Sequence, residues 1–147
     1  MREVSVTLEE LAQTLPNGFH DAEVKAIAID YVGRRVVFDV SVWVGDMEAK
    51  AAPREGYRDG EVVIEGLRFI VVEPPDPRYP FGREAPVRVS GCERVSASEM
   101  PVVSAVPVGC FVSRFFVVDW NSFIYVAGVG AELTWASDAY DRGPERG

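Results

Sequence analysis

Hydrophobic and polar residues alternate along much of the chain, and this alternation is typical of β-strands. In residues 36–44 (VVFDVSVWV) apolar side chains occupy the even-numbered positions. Residues 23–31 (EVKAIAIDY) alternate in the same way, with Lys25, Ile27 and Ile29 expected on one face. Only a short polar link, VGRR, separates the two segments. Together they predict an antiparallel β-hairpin.

The same pattern predicts further strands along the rest of the chain. They are expected at residues 61–73, 87–95, 110–120, 123–129 and 131–135. Gly66 interrupts the first of them and indicates a β-bulge, because glycine inside a strand often marks a bulge. Pro101 and Pro107 restrict any strand between residues 96 and 109 to a sheet edge, so we expect irregular structure there.

One short segment near the start of the chain has the helical pattern instead. Thr7 can cap a helix, and Glu10 stands three residues later, as in a capping box. Leu8, Leu11 and Leu15 would form an apolar stripe on that helix. The following Pro-Asn-Gly sequence ends it.

These elements predict a mainly β protein, an antiparallel β-sandwich or open barrel with one short N-terminal helix. We expect about six to eight strands, in keeping with the architectures of small all-β domains. The 147 residues suit one domain, residues 1–147, and the polar residues 136–147 read as a frayed tail.

Charge and composition exclude some classes of partner. The formal net charge is -8, with 23 acidic against 15 basic residues. A negative field repels phosphates, so nucleic acid is not an expected partner. The first residues lack the basic and apolar regions of a signal peptide, and no membrane span is predicted. We therefore expect a cytoplasmic protein with reduced cysteines at Cys92 and Cys110 and no membrane partner.

A single histidine, His20, limits the possible chemistry. One histidine cannot supply a two-histidine metal motif, and the sequence has neither a P-loop nor a GxSxG nucleophile motif. No cofactor or metal is therefore expected. His20 and the adjacent Asp21 fit a structural pair at the entry to a strand, and a catalytic or ligand-binding role is the alternative. Asp39 and Glu65 would form a carboxylate pair if their similar strands paired.

Aromatic residues in two turns are the other candidates for recognition. Asp119 and Trp120 lie in the turn sequence DWNS, and Tyr79 and Phe81 lie in the proline-rich loop 74–86. Tryptophan is enriched among the residues that dominate binding energies, and prolines lower the cost of ordering a loop. Packing of these side chains against their own sheet is the competing interpretation.

Two stretches resemble known proteins. Residues 15–31 (LPNGFHDAEVKAIAIDY) and 115–127 (FFVVDWNSFIYVA) are similar to small bacterial β-rich families that carry a GFHDA stretch, some of them associated with toxin-immunity loci. The resemblance implies an immunity or binding role and assigns no catalytic residues.

Two functions follow from these observations. The first is a non-enzymatic, cytoplasmic protein-binding module, immunity-like in form, whose acidic surface meets a basic protein partner. The alternative is a small-molecule or metal-dependent enzyme that uses His20, Asp21 and nearby carboxylates. A homo-oligomer is compatible with either function.

Overall fold

Nine strands, one α-helix and one 3₁₀-helix make up the part of the chain that the structure describes. The computed structural model describes residues 6–45, 56–78, 87–136 and 140–141. In chain order, the elements are α1 (Leu8–Gln13), β1 (Ala22–Asp30), β2 (Arg35–Trp43), β3 (Gly56–Glu65), β4 (Phe69–Val72), β5 (Val87–Arg94), a 3₁₀-helix (Pro101–Ala105), β6 (Phe111–Val117), β7 (Ser122–Gly128), β8 (Gly130–Trp135) and β9 (Tyr140–Asp141).

The short helix begins with the capping box that the sequence predicts. The hydroxyl of Thr7 accepts a hydrogen bond from the backbone N–H of Glu10 at 3.1 Å, and the Glu10 carboxylate accepts one from the N–H of Thr7 at 2.7 Å. These bonds satisfy two of the free N–H groups at the helix start. Leu8 and Leu11 are buried and fix the helix against the sheet.

All strands belong to one antiparallel sheet. Eight of them follow the order β4-β7-β6-β5-β1-β2-β3-β8, and β9 pairs with β3. The mainly β, antiparallel prediction is therefore confirmed. The sheet is single and does not close into a barrel. The end of the chain is paired at Tyr140–Asp141, and residues 137–139 and 142–147 of the predicted tail lie outside the described residues.

The link between β3 and β4 is hydrogen-bonded to the link between β7 and β8 at one corner of the sheet. The predicted strand 61–73 is divided at Gly66 into β3 and β4, and β3 begins earlier than predicted, at Gly56. Backbone bonds across the corner run from Val129 N–H to Glu65 C=O (2.9 Å) and from Arg68 N–H to Ala127 C=O (2.7 Å). Strands β3 and β4 thus follow the bent course of β7 and β8, although β4 and β8 are opposite ends of the sheet path.

A bulge in β1 changes which side chains share a face. Val24 pairs with Val40 and Ala26 pairs with Asp39, so Lys25 is the extra residue. The predicted grouping of Lys25 with Ile27 and Ile29 is wrong, because a bulge shifts the alternation of a strand by one position. Lys25 turns to the side of Asp39, away from the core.

The main core lies on one side of the sheet, under α1. Phe38, Ile64, Ile124, Val36 and Val126 are among its most deeply buried side chains. The ring of Phe115 stands edge-on to the rings of Phe19 and Phe38, with ring centroids 5.6 and 5.8 Å apart. Such aromatic pairs stabilise a core beyond the burial of their area.

A second, smaller cluster lies on the opposite side of β6 and β7. Val95, Val112 and Ala127 are buried there. Met100, Val103 and Val106, from the connection between β5 and β6, pack against these three residues. The connection is thus held against the outside of the sheet by its own apolar contacts.

Candidate functional site

The outward side of β1, β2, β3 and β8 is rich in carboxylates. Successive side chains of a strand point to opposite faces. Phe38, Val62 and Ile64 point into the main core, so the odd-numbered residues of β2 and β3 point outward. The outward positions of the four strands carry seven carboxylates, which we call the acidic face: Glu23, Asp30, Asp39, Asp59, Glu61, Glu65 and Glu132.

Strand register sets the spacing of these carboxylates. Asp39 lies directly opposite Glu61, and the next strand places Thr134 opposite Glu61. The expected pairing of Asp39 with Glu65 is therefore wrong, since Glu65 lies opposite Arg35. The two strands do pair, as supposed, but in an antiparallel register that the sequence similarity between them does not specify.

Few cations balance the acidic face. Lys25 and Arg35 are the basic residues at the outward positions of the described β1, β2, β3 and β8. The ammonium of Lys25 lies 3.2 Å from Asp59 and 4.0 Å from Asp39. With Lys25 42% exposed, such a surface pair contributes about 0.2–1 kcal/mol. The face keeps an excess of negative charge.

His20 lies beside the acidic face, at the entry to β1. Its backbone N–H donates to Asn17 C=O at 3.1 Å, and its ring nitrogen Nδ1 lies 3.3 Å from Ser90 C=O. Nε2 lies 3.6 Å from the Asp21 carboxylate, and the ring is 6.1 Å from that of Trp43. These contacts connect the end of the helical segment to β5, and the His20 side chain is 51% exposed.

The DWNS turn joins β6 to β7 and contacts the start of the proline-rich loop. Asp119 accepts a hydrogen bond from the Arg88 guanidinium at 3.3 Å. The backbone C=O of Trp120 accepts one from Asp76 N–H at 2.8 Å, and the Asn121 amide donates to the Asp76 carboxylate at 3.1 Å. Hydrogen bonds from the side chain and then the backbone of Arg78 hold the pKa of Asp76 below its usual range.

Trp120 is half-buried and packs against the main core. The indole is thus shared between the core and the surface of the turn. Tyr79 and Phe81, the other two aromatic candidates, lie outside the described residues.

The structure does not bring the His20–Asp21 pair and the DWNS turn together. Ala22, Val89 and Val117 lie side by side on β1, β5 and β6. His20 lies on the Ser90 side of this row, whereas the DWNS turn lies on the Arg88 side.

The cysteines have different surroundings, and both are free. Burial, followed by the nearby charges of Glu9 and Glu93, raises the pKa of Cys92 to about 12. A thiol with so high a pKa is a poor nucleophile near neutral pH. Cys110 is half-buried and lines a cleft beside α1.

The carboxylates of the acidic face and the cleft were not among the residues selected from the sequence, apart from Asp39 and Glu65. Alternation along residues 36–44 and 61–65 was the available signal for the acidic face, since it places Asp39, Glu61 and Glu65 on the face opposite the core. The cleft had no such signal, because its lining comes from distant parts of the chain.

Comparisons with known proteins return no relative. Among the described residues, no group of three or more histidine, cysteine, aspartate or glutamate side chains is arranged to hold a metal ion. No helix in the same part of the chain is long and apolar enough to cross a membrane. No protein-family model, curated protein or solved structure matches the chain.

Proposed function

We propose that the protein is a non-enzymatic protein-binding module whose acidic face docks a basic protein partner. The observation that carries this proposal is the excess of carboxylates at the outward positions of four adjacent strands, with Lys25 and Arg35 as the cations among them. Charge complementarity of this kind accelerates encounter and selects partners of opposite charge.

The form of the surface supports the proposal. The carboxylates stand on hydrogen-bonded strands rather than on loops, so their positions are set before a partner arrives. Pre-organised groups lose less conformational entropy on binding. Rows of acids at the strand spacing of about 4.7–4.9 Å suit a partner surface with several lysines or arginines. Neutralisation of a basic toxin is the specific form of this function that the GFHDA resemblance favours.

The contacts of His20 favour binding over catalysis. Its ring nitrogen Nδ1 lies 3.3 Å from the backbone carbonyl oxygen of Ser90, and its backbone N–H donates to Asn17 C=O. A general base must reach a substrate proton, and contacts that connect backbone segments give His20 a sufficient structural role.

A capture experiment with matched variants tests the proposal. Immobilised wild-type protein would be incubated with soluble proteins at low salt, and captured partners would be identified and purified. Glu61→Gln and Glu132→Gln each remove one charge from the acidic face, and Glu93→Gln removes one charge from β5. We expect partners with an isoelectric point above neutrality, and each on-face variant should weaken affinity by about 2–5-fold, equivalent to about 0.4–1 kcal/mol.

The control variant distinguishes binding at a specific face from attraction by the net charge of the protein. Glu93→Gln should leave the affinity within error of wild type. Equal weakening by all three variants would show that net charge alone attracts the partner, and the docking surface would be wrong. Capture of neutral or acidic partners, with affinities that do not change with salt, would refute the proposed charge recognition.

A further inference from the structure

A cleft lies between the start of α1 and the connection from β5 to β6. Its volume is about 910 Å³. Strand β5 ends at Arg94, the chain leaves the sheet through the 3₁₀-helix, and it returns at Cys110 to begin β6. Pockets that bind small molecules have volumes of about 300–1,000 Å³, so the cleft has room for one.

One wall of the cleft is apolar. Val95, Phe111 and Val112 are buried, and Val103 and Val106 are half-buried beside them. A ligand that covers this wall would bury apolar surface, which contributes about 25 cal/mol per Å² removed from water.

Two opposite charges stand at the same cleft. The Glu9 carboxylate accepts a hydrogen bond from the hydroxyl of Ser113, which is fully buried. This bond fixes the carboxylate, and it uses one of the two oxygens. Arg94 also lines the cleft and is exposed. No ion pair within 4.0 Å joins Arg94 to any described carboxylate.

We propose that this cleft binds a small zwitterion with an apolar side chain, an apolar amino acid or dipeptide. The Glu9 carboxylate would accept hydrogen bonds from the ligand ammonium group, and the Arg94 guanidinium would donate to the ligand carboxylate. The valine and phenylalanine wall would cover the apolar side chain. The assignment is independent of the acidic face, because none of the cleft residues belongs to that face.

Cys110 provides a reporter for occupancy. Its thiol lines the cleft, so a bound ligand would restrict access to it. Cys92 would contribute little labelling, since burial raises its pKa to about 12. The rate at which a thiol reagent modifies the protein therefore reports whether the cleft is occupied. Loss of that reaction in Cys110→Ser would verify that Cys110 is the labelled residue.

The experiment measures how ligands slow this modification in the full-length protein. L-leucine and leucyl-leucine are the two zwitterions, and they distinguish an amino-acid ligand from a dipeptide ligand. 3-Methylbutylamine lacks the carboxylate, 4-methylpentanoate lacks the ammonium group, and glycine lacks the apolar side chain. We expect saturable protection by at least one of the two zwitterions, with each of the three analogues at least about tenfold weaker, as loss of one charged hydrogen bond or of the apolar contact predicts.

Variants locate the contacts. Glu9→Gln keeps an acceptor for Ser113 but loses the charge, and Arg94→Gln loses the guanidinium. Each should weaken protection about tenfold, whereas Glu61→Gln on the acidic face should leave it unchanged. Any of three results would overturn the proposal. The first is no protection by either zwitterion, and the second is protection by 3-methylbutylamine and 4-methylpentanoate that equals that of the zwitterions. The third is wild-type protection in both Glu9→Gln and Arg94→Gln. Partner capture on the acidic face would be unaffected by any of these results.

Discussion

At the scale of a single residue, the half-buried thiol of Cys92 shows how the surroundings of one group affect the stability of the protein. Cys92 follows the bulge in β5, with its sulfur 3.9 Å from the Leu8 carbonyl. The thiol is protonated in the folded state to high pH, because burial and nearby carboxylates disfavour the thiolate. An unfolded chain releases the same proton more easily.

The stability of the protein should therefore fall in alkali because of Cys92. The folded pKa of about 12 lies above the ordinary value of 9.0. The contribution is complete below the unfolded pKa and is lost as the pH rises towards the folded pKa, by up to about 1.4 kcal/mol per pH unit. Denaturant unfolding at a series of pH values between these limits, under reducing conditions, would measure the decline in the free energy of unfolding.

Two serine variants separate this effect from the other groups that titrate in alkali. Cys92→Ser should show a shallower decline than wild type, and Cys110→Ser should keep the wild-type decline. Parallel declines in wild type and Cys92→Ser would show that the Cys92 thiol does not control the alkaline behaviour.

Local residue patterns were predictable, whereas contacts between distant residues were not. The Thr7–Glu10 capping box depends on residues three positions apart, so the sequence contains all the information that it needs. The pairs Lys25–Asp59 and Glu9–Ser113 depend on a bulge and on strand order. Neither the position of that bulge nor the order of the strands follows from alternation alone.

At the scale of elements, Gly66 shows which features of a strand can be predicted from the sequence and which cannot. A glycine within an alternating segment predicted a disturbance of the strand, and Gly66 has a φ of +62°. The sequence could not show that the chain changes pairing partners there, from β8 to β7. That change depends on the meeting of β4 with β7, residues far apart in the chain.

Gly66→Ala should destabilise the corner. Alanine would be strained at this positive φ, and its Cβ would meet the Val129 side chain. The two effects together should lower the free energy of unfolding by about 2–4 kcal/mol, as backbone strain adds to overpacking. Thermal or denaturant unfolding would measure the loss.

A double-mutant cycle can separate the two causes. Val129→Ala removes the clashing side chain. Because this side chain is 44% exposed, its removal alone should change the free energy of unfolding little. In that background, Gly66→Ala should cost about 1–2 kcal/mol, the strain alone. If Gly66→Ala lowered the free energy of unfolding equally in both backgrounds, the contact with Val129 would contribute nothing to its effect.

At the scale of the whole molecule, charge is distributed unevenly. The net charge of -8 could have been spread over the surface, but the register concentrates carboxylates on one face. Like charges directly opposite one another on neighbouring strands are destabilising. The acidic face that we propose for binding therefore lowers the stability of the free protein.

Glu61→Gln should stabilise the free protein at low salt. The variant removes the repulsion between Glu61 and Asp39, which are directly opposite, and should raise the free energy of unfolding by about 0.2–1 kcal/mol. The gain should diminish as salt rises from about 10 mM to about 1 M, where the screening length falls from about 30 Å to about 3 Å. Glu93→Gln is the matched control and should bring no gain, because it removes a partner of Arg114. A Glu61→Gln protein no more stable than wild type at low salt would show that the face is not electrostatically strained.

The corner at Gly66 and Val129 also determines whether the chain can be divided. Strand β4 follows β3 in the chain but pairs with β7, and β8 follows β7 but pairs with β3. The β1-β2-β3 part of the sheet is therefore completed by β8, a strand from the C-terminal side of the corner. Cleavage at Gly66 would yield a fragment with β1, β2 and β3 that lacks β8, and a fragment that keeps β4, β7, β6 and β5 but leaves β8 without β3. Both fragments would leave part of the main core open to water. Such fragments would depend on each other for their fold, so that complementation in trans, rather than independent folding of either piece, is the behaviour that this topology imposes.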